Sequence, residues 1–167
     1  MADTLKILFV ASECVPFAKT GGLADVTGSL PKALVALGHD VRVVMPFYRG
    51  TGAAGFGKTV LKTGLSLSKR VPATALERDF DLRQDFLPGT RIPVYLIEQR
   101  HYFDREGLYG DQFGDFGDNL DRFAFLSHAA LASALDQGFH PDVVHCHDWH
   151  SGMLPVFLRT HYGEEPA

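Results

Sequence analysis

Two short apolar runs flanking one amphipathic stripe fix the first third of this chain. Leu5 to Ala11 (Leu-Lys-Ile-Leu-Phe-Val-Ala) is rich in β-formers and barely alternates. A strand buried on both faces of a parallel sheet reads this way, because both sets of side chains meet apolar neighbours. After an irregular stretch, Ser12 to Gly22, the residues Leu23, Val26, Leu30, Ala33, Leu34 and Leu37 recur at helical spacing and stop at Gly38, a residue suited to the left-handed end of a helix. Pro31 falls inside that stripe and lacks a backbone donor, so a kink or break is expected between Gly28 and Pro31. Val41 to Met45 is a second buried run, ended by Pro46. Residues 5–49 thus predict a β-loop-α-β unit, whose crossover joins parallel strands in the right-handed sense.

From residue 50 to 100 the pattern changes. Short β-prone pieces (Thr59 to Lys62, Arg78 to Leu82, Ile92 to Glu98) are separated by Gly and Pro. They predict an insertion of hairpins that ends in a further sheet strand at Ile92 to Ile97. Residues 101–167 begin with a Gly/Asp/aromatic loop, Tyr102 to Asp118, longer than an ordinary connector and therefore a candidate functional segment. Asn119 to Gln137 predicts a helix with Leu120, Phe123, Leu126, Ala130 and Ala134 on one side, closed by Gly138-Phe139. Asp142 to Cys146 predicts another buried strand and Ser151 to His161 another helix. The alternation is that of an α/β fold, Rossmann-like and doubly wound, with a mainly parallel sheet and a hairpin insertion.

Composition narrows the partners. The 167 residues are one ordinary domain's worth, and 46% hydrophobic against 22% charged residues is enough to build a core. Sixteen basic against twenty acidic side chains leave a net charge of −4, which argues against nucleic acid or an anionic membrane as the main partner. Cys14 and Cys146 form neither a disulfide framework nor a CxxC ribbon. Met1 to Lys6 carries no basic segment followed by a long apolar one, and no apolar run approaches the roughly 18 residues of a membrane span. A reducing cytosol is the expected compartment.

Three segments carry candidate chemistry. Lys19-Thr20-Gly21-Gly22-Leu23 follows the first strand, where α/β sheets place ligands. Two glycines permit close backbone approach, the helix start adds a positive dipole end, and Lys19 adds a full charge, which together suit a diphosphate. A Gly-Gly turn beside a solvated lysine is the competing reading, and Asp25 can simply complement the helix dipole. Neither GxGxxG nor GxxxxGK[ST] is present.

The second segment, His145-Cys146-His147-Asp148-Trp149-His150, admits three readings. A metal site is one, although HxHxDH is only nearly matched and further ligands have no obvious source. A buried Trp149 with capping, hydrogen-bonded histidines is another, with His150 or Ser151 capping the next helix. A sugar-hydroxyl site walled by Trp149 is the third. In the acidic aromatic loop, Asp111, Asp115, Asp118 and Asp121 do not match an EF-hand. Asp118 reads either as an N-cap for the helix at Asn119 or as a cleft carboxylate.

Taken in order, Lys19-Thr20-Gly21-Gly22-Leu23-Ala24-Asp25-Val26, Leu30-Pro31-Lys32-Ala33-Leu34, Gly38 to Pro46, Tyr102-Phe103-Asp104-Arg105, Leu108-Tyr109-Gly110, Asp118-Asn119-x-x-Arg122-Phe123 and Pro141 to His150 resemble the N-terminal part of bacterial glycogen synthases and plant starch synthases. The motifs span residues 5 to 158; only about 50 to 91 lacks one. The resemblance implies the first half of a two-Rossmann-domain (GT-B type) glycosyltransferase. Such an enzyme transfers glucose from ADP-glucose to the non-reducing end of an α-1,4-glucan with retention, using neither metal nor cofactor. It implies that Lys19 contacts the phosphates, that Gly21 and Gly22 form the close-approach loop, and that Asp25 lies beside it. His147 would hydrogen-bond the transferred glucose within the turn that His150 ends, and Asp118 with Asn119 would line the acceptor side.

The same resemblance implies that residues 1–167 are an incomplete N-terminal catalytic domain, because the second domain supplies the remaining donor contacts. Inactivity of the chain alone is then expected, together with self-association or pairing with a complementing second domain. The alternative is a non-catalytic domain that binds glucan or a partner protein.

Overall fold

The computed structural model describes residues 3–67 and 78–163. Along the chain these form β1 (Lys6–Val10), α1 (Gly22–Ala36), β2 (Asp40–Pro46), α2 (Arg49–Ala53), β3 (Thr59–Leu65), β4 (Phe80–Phe86) and β5 (Pro93–Glu98). There follow α3 (Arg100–Phe103), a small hairpin of β6 (Gly110–Asp111) and β7 (Gly114–Asp115), α4 (Asn119–Asp136), β8 (Val143–Cys146), a 3-10 turn (Trp149–Ser151) and α5 (Leu154–His161). The strands other than the small hairpin make one sheet, ordered β3-β4-β5-β2-β1-β8. Its centre is parallel: β1 pairs with β2 on one side and β8 on the other, and β2 pairs with β5. The predicted hairpin insertion ends, as expected, in a strand of the main sheet, β5. β4 and β3 add antiparallel strands to the β5 edge, so one sheet continues through it.

The apolar runs explain the centre. Leu8, Phe9 and Val10 of β1, and Val43, Val44 and Met45 of β2, are fully buried, as strands covered on both faces require. β8 differs from its predicted buried state: it lies at the sheet edge, and Val143 is 41% exposed. α4 is buried almost continuously from Arg122 to Leu131. Leu120 is not on its packed side, because the first turn emerges from the core and leaves that residue 71% exposed.

α1 runs unbroken through Pro31, contrary to the expected kink or break. Proline leaves the Thr27 carbonyl, four residues back, without its helical donor. The Cys14 thiol, 3.5 Å away, donates to that carbonyl instead, and the Thr27 hydroxyl donates to Glu13 O at 2.6 Å. Local partners from the preceding loop therefore replace the missing bond. Both long helices end in Schellman closures. Gly38 and Gly138 take φ of 96° and 62°, and the next residues, His39 and Phe139, donate back to Leu34 and Ala134.

From β1 the chain passes through α1 to β2, while β8 sits on the opposite side of β1. The loops leaving β1 and β8 therefore diverge at the carboxyl ends of adjacent parallel strands. Doubly wound sheets hold their ligands at such a switch point.

Candidate active site

The diverging loops open on a cleft of about 660 Å³, within the range of small-molecule sites. Gly21, Gly22 and Leu23 form one wall, and Asp148, Trp149 and His150 face them. Tyr109, Phe116 and Asn119, from the acidic aromatic loop and the start of α4, line it with Asp115, and Glu13 and Thr20 complete the lining. Of the residues singled out in the sequence, Gly21, Gly22, Asn119 and His150 line the cleft. Lys19, Asp25, Asp118 and His147 are not among its lining residues.

The glycine wall is organised by Glu13, which sequence reasoning missed. Its carboxylate is 3% exposed and accepts from the Thr20 hydroxyl (2.6 Å), Thr20 N–H (2.5 Å), Gly21 N–H (3.2 Å) and the Tyr109 hydroxyl (2.5 Å). Burial pushes this carboxyl up, but the four hydrogen bonds outweigh it and hold the pKa below the ordinary value, so Glu13 is ionised. Burial and the neighbouring carboxylate push the Tyr109 phenol well up, so it stays protonated and donates. An acid in the first turn after a buried strand was the available signal. No side chain caps α1, whose N-cap is Gly21. Among the described residues the first-turn N–H groups of Gly22 and Leu23, which line the cleft, remain free donors and give it a fixed positive end.

Lys19 and Asp25 pair with each other beside that wall, Nζ lying 2.7 and 2.8 Å from the two carboxylate oxygens. Both are about half exposed, so the pair is easily separated. Asp118 holds the N-cap position of α4 but makes no side-chain capping bond. It instead takes a two-pronged bond from Arg105 at 2.7 and 2.5 Å, which holds its pKa below the ordinary range against the opposing effect of burial. Asn119 is fixed from both sides: its amide donates to Tyr109 O at 2.8 Å, and its carbonyl accepts from Arg122 at 2.6 Å.

The histidine turn is an aromatic stack. His147 leans on Phe9 with centroids 5.0 Å apart, and its ring centre lies 4.3 Å from that of His145. Burial, then repulsion from His145, pushes its pKa down to about 4. His150 is 4% exposed between Tyr109 (4.5 Å) and Trp149 (4.0 Å). Burial lowers its pKa as well, and neither ring nitrogen has a partner among the described residues. It is a neutral imidazole with its hydrogen-bonding capacity unused. Trp149 is not buried: it is 54% exposed and walls the cleft. Neither His150 nor Ser151 caps the next helix. Ser151 donates to His147 O at 2.9 Å, and Asp148 caps the turn by accepting Trp149 N–H at 2.6 Å. Among the described residues, no group of three or more His, Cys, Asp or Glu side chains is placed to share a metal ion.

Asp148 carries backbone strain. Its φ of 62° and ψ of −177° lie in a region reserved almost wholly for glycine, and such outliers gather at functional sites. Two variants isolate the strain. Asp148→Ala and Asp148→Gly both lose the cap, but only alanine keeps the strain, so it is expected to be about 1–2 kcal/mol less stable than Asp148→Gly in urea unfolding. Equal stabilities would show that the backbone is relaxed there.

Comparison with known proteins identifies the family to which this fold belongs. The family model described as the starch synthase catalytic domain matches residues 6–167. A glycogen synthase of Geotalea uraniireducens is 46% identical over 161 residues, covering 96% of this chain and 32% of its own length. Glycogen synthase 1 of Geobacter sulfurreducens is 48% identical over 163 residues, covering 97% and 32%. The chain thus spans about a third of the length of these curated relatives. The solved catalytic domain of starch synthase IV from Arabidopsis thaliana, bound to ADP and acarbose, superposes with a TM-score of 0.75 at 29% identity, over 96% of this chain and 31% of that one. With the family model matching nearly its whole length and a sheet that superposes on a solved member, the chain belongs to the starch synthase catalytic-domain family.

Proposed function

We propose that the chain is the donor-loop part of a retaining glucosyltransferase that moves glucose from ADP-glucose to the non-reducing end of an α-1,4-glucan. The observation that carries this reading is the cleft itself: an uncapped helix N-terminus opposite an aromatic, hydroxyl-competent wall. The first suits a diphosphate, the second a sugar. The Arabidopsis relative's ADP and acarbose support the same pairing of ligands. In this reading Lys19 leaves Asp25 for the phosphates, with Gly21 and Gly22 giving close approach. His147 and His150 serve the transferred glucose, and Asn119 with Asp118 the acceptor side. Catalysis rests on positioning and on electrostatic stabilisation of an oxocarbenium-like transition state and the departing diphosphate, with no covalent side-chain nucleophile. A second Rossmann domain supplies the remaining donor contacts, so this chain alone binds weakly and turns over slowly or not at all.

Calorimetry with ADP and ADP-glucose tests the reading. Weak binding is expected, with Lys19→Ala raising Kd about tenfold through loss of one charge-assisted phosphate contact. A chain that is folded by circular dichroism yet binds neither ligand would overturn it. The half-exposed Trp149 platform also favours a second reading, a non-catalytic glucan-binding domain. Trp149 is the single tryptophan, so its fluorescence reports directly. Glucan binding that survives Lys19→Ala without any nucleotide binding would select that reading.

A further inference from the structure

Tyr109 is held at both of its ends. Its hydroxyl donates to Glu13 at 2.5 Å and lies 2.8 Å from the Ser12 hydroxyl. Its carbonyl accepts from Asn119 at 2.8 Å and from Phe116 N–H at 2.9 Å. Glu13 in turn holds both N–H groups of the Thr20-Gly21 segment, and Arg122 holds Asn119. One chain of hydrogen bonds therefore crosses the base of the cleft, from Gly21 on the glycine wall to Asn119 on the opposite wall. Glu13 is its centre: one carboxylate oxygen faces the two N–H groups, the other the Thr20 and Tyr109 hydroxyls.

Buried charge-assisted bonds of this kind are short, directional and costly to leave unmade. The carboxylate cannot follow one wall without drawing on the other. A ligand that shifts or rigidifies the Thr20-Gly21 segment therefore changes the cost of ordering Tyr109 and Asn119, which is the definition of coupling between two sites.

We propose that Glu13 is a positioning residue that couples the two walls, so that a nucleoside diphosphate at the glycine loop and an α-glucan on the Tyr109–Asn119 side bind cooperatively. This rests on the reading of the cleft as a nucleotide-sugar and glucan site. Neither ligand needs to touch Glu13.

The test has one arm without ligand and one with. In amide spectra of the free chain, Tyr109→Phe removes a single hydroxyl from the far side of Glu13. The Thr20 and Gly21 amide signals are expected to move, while those of Gly38 at the far end of α1 stay in place. Unmoved Thr20 and Gly21 signals would overturn the proposal whatever the ligands do. In the second arm, ADP affinity is measured by calorimetry with and without saturating maltopentaose. The unmodified chain is expected to bind ADP about fivefold tighter with the glucan present. Tyr109→Phe and the isosteric Glu13→Gln are expected to bring that ratio close to one, whatever each does to the separate affinities. A purely structural role would change affinities or melting temperature but leave the ratio intact. Both ligands binding independently to the unmodified chain would overturn the coupling while leaving the site reading in place. Binding of neither would overturn the site reading itself.

Discussion

Arg122→Ala is expected to remove about 3–5 kcal/mol of folding stability, a large part of what a domain of this size possesses. The guanidinium is fully buried in α4. It donates to Tyr102 O at 2.8 Å and to Asn119 at 2.6 Å, and lies 5.0 to 5.7 Å from the rings of Phe103, Phe116 and Phe123. Truncation leaves a cavity among those rings and takes one donated bond from each of two acceptors, each loss with its own cost. Among the described residues no carboxylate ion-pairs with it, and burial pulls its pKa down. The charge itself is therefore a burden that hydrogen bonds and ring faces offset. Arg122→Met keeps most of the volume but removes the same two donated bonds, and is expected to cost about 2 kcal/mol, the part that belongs to those bonds and not to the cavity. Urea unfolding of the two variants decides the matter. A methionine variant as unstable as the alanine one would show that the donated bonds, not the filled space, stabilise this region.

The second large effect is acid sensitivity centred on His147. Its imidazole titrates at 6.5 when unperturbed and at about 4 in the folded chain. Between those values the unfolded chain holds more protons, so stability falls as pH drops through the interval, by about 3 kcal/mol in total. His150, whose pKa is also lowered by burial, adds to the loss with the same sign. The depressed carboxyls of Glu13 and Asp118 act further down. Their contributions are complete above their ordinary values of 4.5 and 3.8 and vanish as each is protonated in the folded state. Unfolding free energies from pH 7.5 to 4 should therefore slope steeply for the unmodified chain and more gently for His147→Gln. Parallel slopes would place the proton uptake elsewhere.

Much of the fold was legible because it rests on local pattern. The β1-α1-β2 unit and α4 announce themselves through unbroken apolar runs, helical spacing and terminal glycines, signals that need no knowledge of the rest of the chain. The failures all have tertiary causes. Pro31 does not break α1 because a thiol from the preceding loop replaces the lost donor, which helix propensity cannot foresee. α2, with the sequence Arg-Gly-Thr-Gly-Ala, has no helical signature and is tied down by the Thr51 hydroxyl on Phe17 O. β8 reads as buried from its valines, yet edge position is a property of sheet order.

At the site, the glycine wall and histidine turn were visible because glycine pairs and clustered histidines are rare. Glu13 and Arg122 were not singled out for roles, since a single charged residue reads as surface until its partners are known. The strain at Asp148 left no trace in residue type at all.

The placement of β1 has a further consequence, during synthesis. β1 is made well before one of its two neighbours, β8: Lys6 N–H bonds the Asp142 carboxylate 136 residues further on. At roughly 5–20 residues per second, that flank of β1 waits on the order of 10 seconds for its partner to leave the ribosome. Throughout that wait the most apolar strand of the molecule presents an open ladder of backbone donors and acceptors, a template for pairing with any other nascent chain. The central position that makes β1 the anchor of the finished sheet therefore also makes it the segment that a chaperone would have to shield first.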